Sequence, residues 1–507
     1  MAASNENSER RVVPRWRPFR EALANNELSA AVVAAAPTFD GGPFMAEKES
    51  AWLEHKALPF ALDLVSAAAV LGESEASKEA AVFILESNPG SSISGQSIAR
   101  HILGILSPPP ARGISSRSEI IRAVKELKSR RLSQMRNAFV WVDLARLYIL
   151  LDQIESARHT MRVALTLAPT DRFVLRSATR MLLHSKAPDE ALHLLRKNSR
   201  TPADPWLIAA EIAVSSVLDK DPKFAKAGQR ILKSSDVPPF HLSELASALG
   251  SFEMFEGNLK HARRFFAFSL TKPTDNALAQ AAWASKRAGL SEIDETLLLA
   301  PHVSEAQAIT AHNRGKWNDV LHYARIWTED EPFSARPRQL ASATASSLLD
   351  QFSIAEQIAI EGLVTNPGHP GLINNIAFAL ASQGRASEAM AQLEKLDKSQ
   401  MTRTDSICLI ATAGLALFRA GNIEDGRKHY EAAIHAAAVD KNQNLRILAT
   451  LYYNRERIFV KDPKALKEFS CAVEEAKKIP NASLSGVAEH LAAEVTEFAV
   501  RESQRLF

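Results

Sequence analysis

The side chains in this chain best suited to chemistry are arginines. Arg10 and Arg11 precede the run Pro14-Arg15-Trp16-Arg17-Pro18-Phe19-Arg20. Guanidinium groups interleaved with aromatic rings can bind phosphate or stack on bases. The same run can equally serve as an arm that packs Trp16 and Phe19 onto the body of the fold. Further along, Ser118 suits the N-cap of a helix running to about Arg136. That helix carries Arg122, Lys125, Lys128, Arg130, Arg131 and Arg136 against Glu119 and Glu126. A basic helix can meet RNA or an acidic partner, or simply form a solvated outer face.

Catalytic constellations do not emerge. There is no glycine-rich phosphate loop, no G-x-G-x-x-G, no H-E-x-x-H and no C-x-x-C. The stretch Gly90–Gly95 lacks G-x-S-x-G spacing and a flanking strand. The 14 histidines are scattered. His184 with His193, and His312 with His322, are the pairs whose helices fall in one unit. The expectation is a non-catalytic chain without cofactor or metal. Cys408 and Cys471 cannot make a disulfide framework and read as small buried residues. With 61 basic and 58 acidic side chains in 507 residues, the net charge of +3 gives no global argument for nucleic acid or membrane. The longest apolar run, Ile407 to Phe418, is too short to span a bilayer. The N-terminus, MAASNENSERR, has no apolar core of a secretory signal. A soluble, cytoplasmic protein is expected.

The elements that would position these residues are helical, and no strand-like alternation persists. Residues 1–50 read as a partly disordered arm, with Thr38–Pro43 as a loop. Over 51–107, Ala61, Leu64, Ala68, Leu71, Ala80 and Ile84 suggest a degenerate repeat or paired-helix cap. Pro108–Pro110 open a linker that, with the basic helix, occupies 108–136.

From 137 the spacing becomes regular. Counting Ala138 as first, Trp141 is fourth, Leu144 seventh, Ala145 eighth, Tyr148 eleventh, Ala157 twentieth, Met161 twenty-fourth, Ala164 twenty-seventh and Pro169 thirty-second. Small residues suit the places where two antiparallel helices approach, and proline ends the unit. The pattern recurs with Ala178 and Ala191, with Gly257 and Ala262, with Gly315 and Ala324, with Ala355, with Gly384 and Ala389, with Gly421 and Tyr430, and with Ala465 and Phe469. One unit holds a small insertion around Asp219–Pro222, and Ala277–Gly289 is a single helix-like segment. Gly or Asn is expected at the inter-helix turns. A last helix over 481–507, with Val487, Leu491, Val495 and Phe498 on one face, reads as a cap.

This spacing resembles the tetratricopeptide repeat (TPR), whose period is about 34 residues. The resemblance covers about nine units over 137–480. It implies an all-α fold, an α-solenoid in which helical hairpins form a right-handed superhelix, with an N-terminal helical region and a C-terminal capping helix. It also implies a scaffold or adaptor that binds a protein or peptide in the concave groove lined by the first helix of each unit. The positions so implied give two patches. One holds Arg146, Arg172, Arg176, Arg180 and His184, suited to a carboxylate or phosphate unless acids such as Asp143 or Asp171 take it up. The other holds Asn374, Phe378, Leu415, Phe418, Arg419, Arg446 and Tyr453, suited to a peptide backbone and its side chains. Asn374 and Asn375 invite comparison with carboxylate-gripping asparagines of chaperone-binding TPRs, but Gly371 or Cys408 stands where a basic companion is needed. The second reading is a nucleic-acid-associated regulator that uses Arg122, Lys125, Arg130 and Arg131 together with the Arg10–Arg20 arm.

Overall fold

The structure is a computed structural model that describes residues 10–19, 41–71, 73–86, 98–99, 102–103, 117–129, 136–234, 237–290, 292–300, 302–397 and 401–504. Every regular element among the described residues is a helix. The chain divides into two compact units, Arg10–Val303 and Ser304–Phe507.

The first unit opens with α1 (Gly41–His55), α2 (Leu58–Leu71) and α3 (Glu75–Glu86), each packed on the other two. Trp52 meets Phe83 edge to face at 5.1 Å, and Ala61, Leu64, Ala80 and Ile84 are fully buried. The helix begins at Gly41, so residues 41–43 are not loop, because Pro43 is tolerated in a first turn. Next comes α4 (Arg117–Ser129), which rests on α5 (Ala138–Leu150). The chain then runs as antiparallel pairs: α5 with α6 (Ile154–Leu167), α7 (Arg172–His184) with α8 (Pro188–Lys197), α9 (Pro205–Val217) with α10 (Ala225–Ile231), and α11 (Pro239–Phe255) with α12 (Leu259–Ser269). A single helix, α13 (Asp275–Ala288), follows.

The second unit contains α14 (Ser304–Asn313) with α15 (Trp317–Asp330), α16 (Ala335–Leu348) with α17 (Phe352–Thr365), and α18 (Pro370–Ser382) with α19 (Ala386–Leu393). It continues with α20 (Arg403–Arg419) and α21 (Ile423–Val439), α22 (Gln443–Phe459) and α23 (Ala465–Lys477), and ends in α24 (Ala482–Gln504). Each helix packs on the next, and first helices pack on the first helices of neighbouring pairs, as α9 does on α11 and α18 on α20. Within each unit this is an α-solenoid.

One local device makes every hairpin. Asp152, Lys186, Asp219, Gly257, Gly315, Asp350, Gly384, Gly421 and Lys461 all have positive φ. The following N–H then reaches back to close the first helix: Gln153 to the Tyr148 carbonyl, Ala187 to Leu182, Arg385 to Leu380 and Asn422 to Leu417, each at 2.9 Å. This is the Schellman arrangement, which satisfies end carbonyls while reversing the chain. Glycine adopts it freely. The sequence reading expected Gly or Asn throughout, yet five of these turns hold Asp or Lys. Those side chains tolerate the left-handed conformation at a cost of about 1–2 kcal/mol.

At six of these turns the side chain five residues on has no exposed surface: Ala157, Ala191, Ala262, Val320, Ala355 and Ala389. In the third pair the insertion delays it to Gly228, where an added Cβ would stand 2.8 Å from Leu245. The second helices bury one stripe only, as in α6 with Ala157, Thr160, Met161 and Ala164. The first helices are buried almost all round. In α9 every residue from Pro205 to Ser215 is buried. After α13 the rhythm stops. Gly289 ends that helix with φ +61, and Glu295–Leu299 forms a short 3-10 turn with no buried residue in place of a second helix. The array that the spacing reads as one continuous run is divided there.

Leucine in place of Ala157, Ala262 or Ala389 is expected to lower stability by about 1–3 kcal/mol each by overfilling a helix crossing. Urea melts of the three variants check this, and three unchanged midpoints would show that the crossings lie elsewhere.

Candidate functional site

The arginine patch of the first unit is built on α7. Asp171 caps that helix by accepting from the Val174 N–H at 2.9 Å. Arg172 instead bonds Asp204 at 2.7 Å, and Asp204 also caps α9 through the Trp206 N–H. Burial alone would raise the Asp204 carboxyl, but the charges of Arg172 and Arg200 outweigh it and hold the group below its ordinary value. Arg176 grips Glu244 of α11 with two bonds, 2.9 and 3.2 Å long, and lies 4.4 Å above the Trp206 ring. Both members of that pair are buried. Arg172 and Arg176 are therefore struts between hairpins rather than an open anion site. His184 is largely enclosed, and burial, with the charge of Arg180 adding to it, pushes its ring down to about 4.

Arg146 leads to a different finding. Its Nε donates to the Trp16 carbonyl at 3.3 Å. Residues 10–18 have no regular structure of their own and lie against the first helices of this unit. Phe19 stacks on Phe139 of α5 at 4.0 Å and meets Phe173 of α7 edge-on at 5.3 Å. Its N–H donates to Asp143 at 2.9 Å. Val12 joins a core cluster with Ile208 and Ile212 of α9 and with Leu245, Ala248 and Leu249 of α11. Arg11 lies over Phe255 at 4.0 Å.

The far end of the segment is held by α13. Arg15 and Arg17 both bond Asp275, the first at 3.0 Å. Burial would raise the Asp275 carboxyl, but these two guanidiniums hold it well below the usual carboxylate range. Arg10 donates to Gln280 at 2.6 Å and to Asn276 at 2.8 Å. Asn276 and Gln280 in turn donate to the carbonyls of Val13 and Arg10, both at 2.9 Å. Trp16 and Arg17 are almost wholly buried. Arg10–Phe19 is thus packed into the fold rather than standing free as a nucleic-acid arm, while Arg20 lies outside the described residues. Sequence reasoning missed Asp275, Asn276 and Gln280. The available signal was three polar side chains on one alanine-rich helix.

The second patch lies in the core of the second unit. Phe378, Leu415, Phe418 and Tyr453 are buried in one apolar cluster. Phe378 meets Tyr452 at 5.4 Å, and Phe418 meets Tyr430 at 5.9 Å and Tyr453 at 6.2 Å. An added Cβ on Gly426 would come within 2.6 Å of Phe418, so the rings fill the crossing of α20 and α21. Asn374 accepts from Thr412 at 2.8 Å, and Asn375 donates to Ser342 at 2.8 Å. Arg419 pairs with Glu456 at 3.0 Å, Arg446 with Glu475, and the Tyr453 hydroxyl with Glu431 at 2.8 Å. Asn374, Phe378, Leu415, Phe418 and Tyr453 are buried inside the fold rather than along an open groove, whereas Arg419 is exposed and Arg446 part-exposed. The closing helix α24 extends the same core. Its Leu484, Val487, Leu491 and Val495 belong to the same cluster, and it touches α14 and α16 as well as α22 and α23. Arg455 bonds Glu494 at 3.1 Å and His490 approaches Asp350 at 3.0 Å along that seam.

On the basic helix, Arg122 and Lys125 are exposed on α4, while Arg130 and Arg131 lie outside the described residues. Lys128 sits 5.3 Å over the Tyr148 ring. Cys408 is buried, but Cys471 is exposed, because α23 buries the stripe of Ala465, Phe469, Ala472 and Ala476 and turns Cys471 away. His312 packs on Trp317 and His322 on Tyr323. Among the described residues no group of three His, Cys, Asp or Glu side chains is placed to hold a metal ion. None of the described helices is long and apolar enough to cross a membrane.

No protein-family model matches the chain, and no curated protein matches it either. Among solved structures, the crystal structure of the APC/C hetero-tetramer Cut9–Hcn1 aligns over 94% of this chain and 95% of that chain, with 11% identity and a TM-score of 0.42. The solenoid assignment rests on the helix pairing described above.

His184 and His241 supply a pH test. Burial, with Arg172 nearby, pushes His241 down to about 4, like His184. Both rings are neutral when folded and gain protons on unfolding. Their contribution is complete above the ordinary value of 6.5 and is lost as pH falls toward 4. Unfolding free energy in urea is therefore expected to fall from about pH 6.5 to about pH 5. Replacing both by Gln should flatten that decline, and an unchanged slope would contradict their enclosure.

Proposed function

We propose that this chain is a non-catalytic helical-repeat scaffold that holds an extended segment of a partner protein against its first-helix wall. The observation that carries the reading is the way side chains of α5 and α13 bond the main chain of residues 10–19. Arg146, Asn276 and Gln280 donate to three of its carbonyls, and Asp143 accepts one of its N–H groups. Contacts to backbone hold any extended peptide, and the apolar and charged places between them choose among side chains.

The test is a selection of displayed random 12-residue peptides on the immobilised full chain carrying Arg15→Glu/Arg17→Glu, which removes the resident segment's hold on Asp275 in both arms of the comparison. Enrichment of binders is expected, with affinity reduced roughly tenfold in the Asn276→Ala/Gln280→Ala variant, since each lost hydrogen bond is worth about 0.5–1.5 kcal/mol. A folded chain that enriches no sequence, or enriches them equally in the variant, would refute the reading.

A further inference from the structure

The segment Arg10–Phe19 is held as a ligand is held. Nine residues without regular structure, and Phe19 after them, touch α5, α7, α9, α11 and α13 between them. Main-chain contacts position them, and three kinds of pocket read their side chains. Asp275 takes two guanidiniums two residues apart. Phe139 and Phe173 take an aromatic ring two residues further on. The Ile208, Ile212 and Leu245 cluster takes a small aliphatic side chain upstream. Asp275 is enclosed, and an enclosed carboxylate without a cation is costly. The wall therefore selects a basic segment over a neutral or acidic one.

We propose that this wall is an exchangeable peptide site. Residues 10–19 occupy it in cis, and the external ligand is an extended segment of a partner protein with the same chemistry: two arginines with one residue between them, then an aromatic ring with one residue between it and the second arginine. The inference rests on the scaffold reading and adds which partner chemistry fits and what keeps the site closed. A tethered segment competes at an effective concentration on the order of millimolar. Free peptide thus binds weakly until the arm is dislodged or outcompeted.

The experiment uses the full chain and a fluorescently labelled synthetic peptide with the sequence of residues 10–19, read by anisotropy. Arg15→Glu/Arg17→Glu expels the arm from Asp275, and this variant is expected to bind the peptide at least about tenfold more tightly than wild type. Asp275→Arg opens the site with the opposite preference. It is expected to reject that peptide and bind one in which both arginines are replaced by Glu. Should either variant lack a cooperative melt, hydrogen exchange on wild type replaces it. Excess peptide is then expected to raise deuterium uptake within residues 10–19. Folded variants that bind neither peptide, wild type that binds as tightly as the variant, or an unchanged uptake would each overturn the proposal. A successful exchange beside a failed random-peptide selection would leave a site serving only the chain's own segment. The reverse pair of results would leave a peptide scaffold whose ligands differ from the arm.

Discussion

A helix buried on every side needs a neighbour on every side, and the first helices of both units are of this kind. A hairpin partner covers one flank and the adjacent pairs cover two more. The remaining flank must be covered by something else, because α9 or α22 left open would present an apolar wall to water. The chain supplies the cover itself. In the first unit an extended segment, Arg10–Phe19, lies there. In the second, the returning helix α24 packs on α14, α16, α22 and α23 with Leu484, Val487, Leu491 and Val495.

The two covers differ in physical kind. A helix satisfies its own backbone, so α24 can be held by apolar contact with a few charges at the rim, such as Arg455 with Glu494. An extended segment carries unsatisfied N–H and C=O groups into the fold, so the wall must supply side-chain partners for them. Asp143, Arg146, Asn276 and Gln280 are those partners. The bed of α24, by contrast, is largely apolar.

Charge follows the same logic. Arg172 and Arg176 on α7 are enclosed, and an enclosed guanidinium must be paired. Their carboxylates come from Asp204 and Glu244, which lie 32 and 68 residues ahead. Such pairs tie successive hairpins into one register. The spacing in the sequence identifies Arg172 and Arg176 as residues of a first helix. It does not say that they point into a neighbour, since a wall residue and an inter-hairpin residue occupy the same helical positions. The same ambiguity placed Phe378 and Phe418 along a groove when they fill a helix crossing against Tyr452 and Gly426.

By itself the sequence determined what is local. Helix pairs, their period, the fully buried alanines at 157, 191, 262, 355 and 389, the insertion at Asp219 and the single helix before Gly289 all follow from side-chain size and backbone preference within one hairpin. Tertiary structure alone decided which inner surfaces stay open. That depends on residues 266 positions apart in sequence, as Arg10 and Asn276 are, meeting once the hairpins have stacked. No periodicity encodes such a meeting, because it is set by the accumulated curvature of many small helix crossings rather than by any one of them.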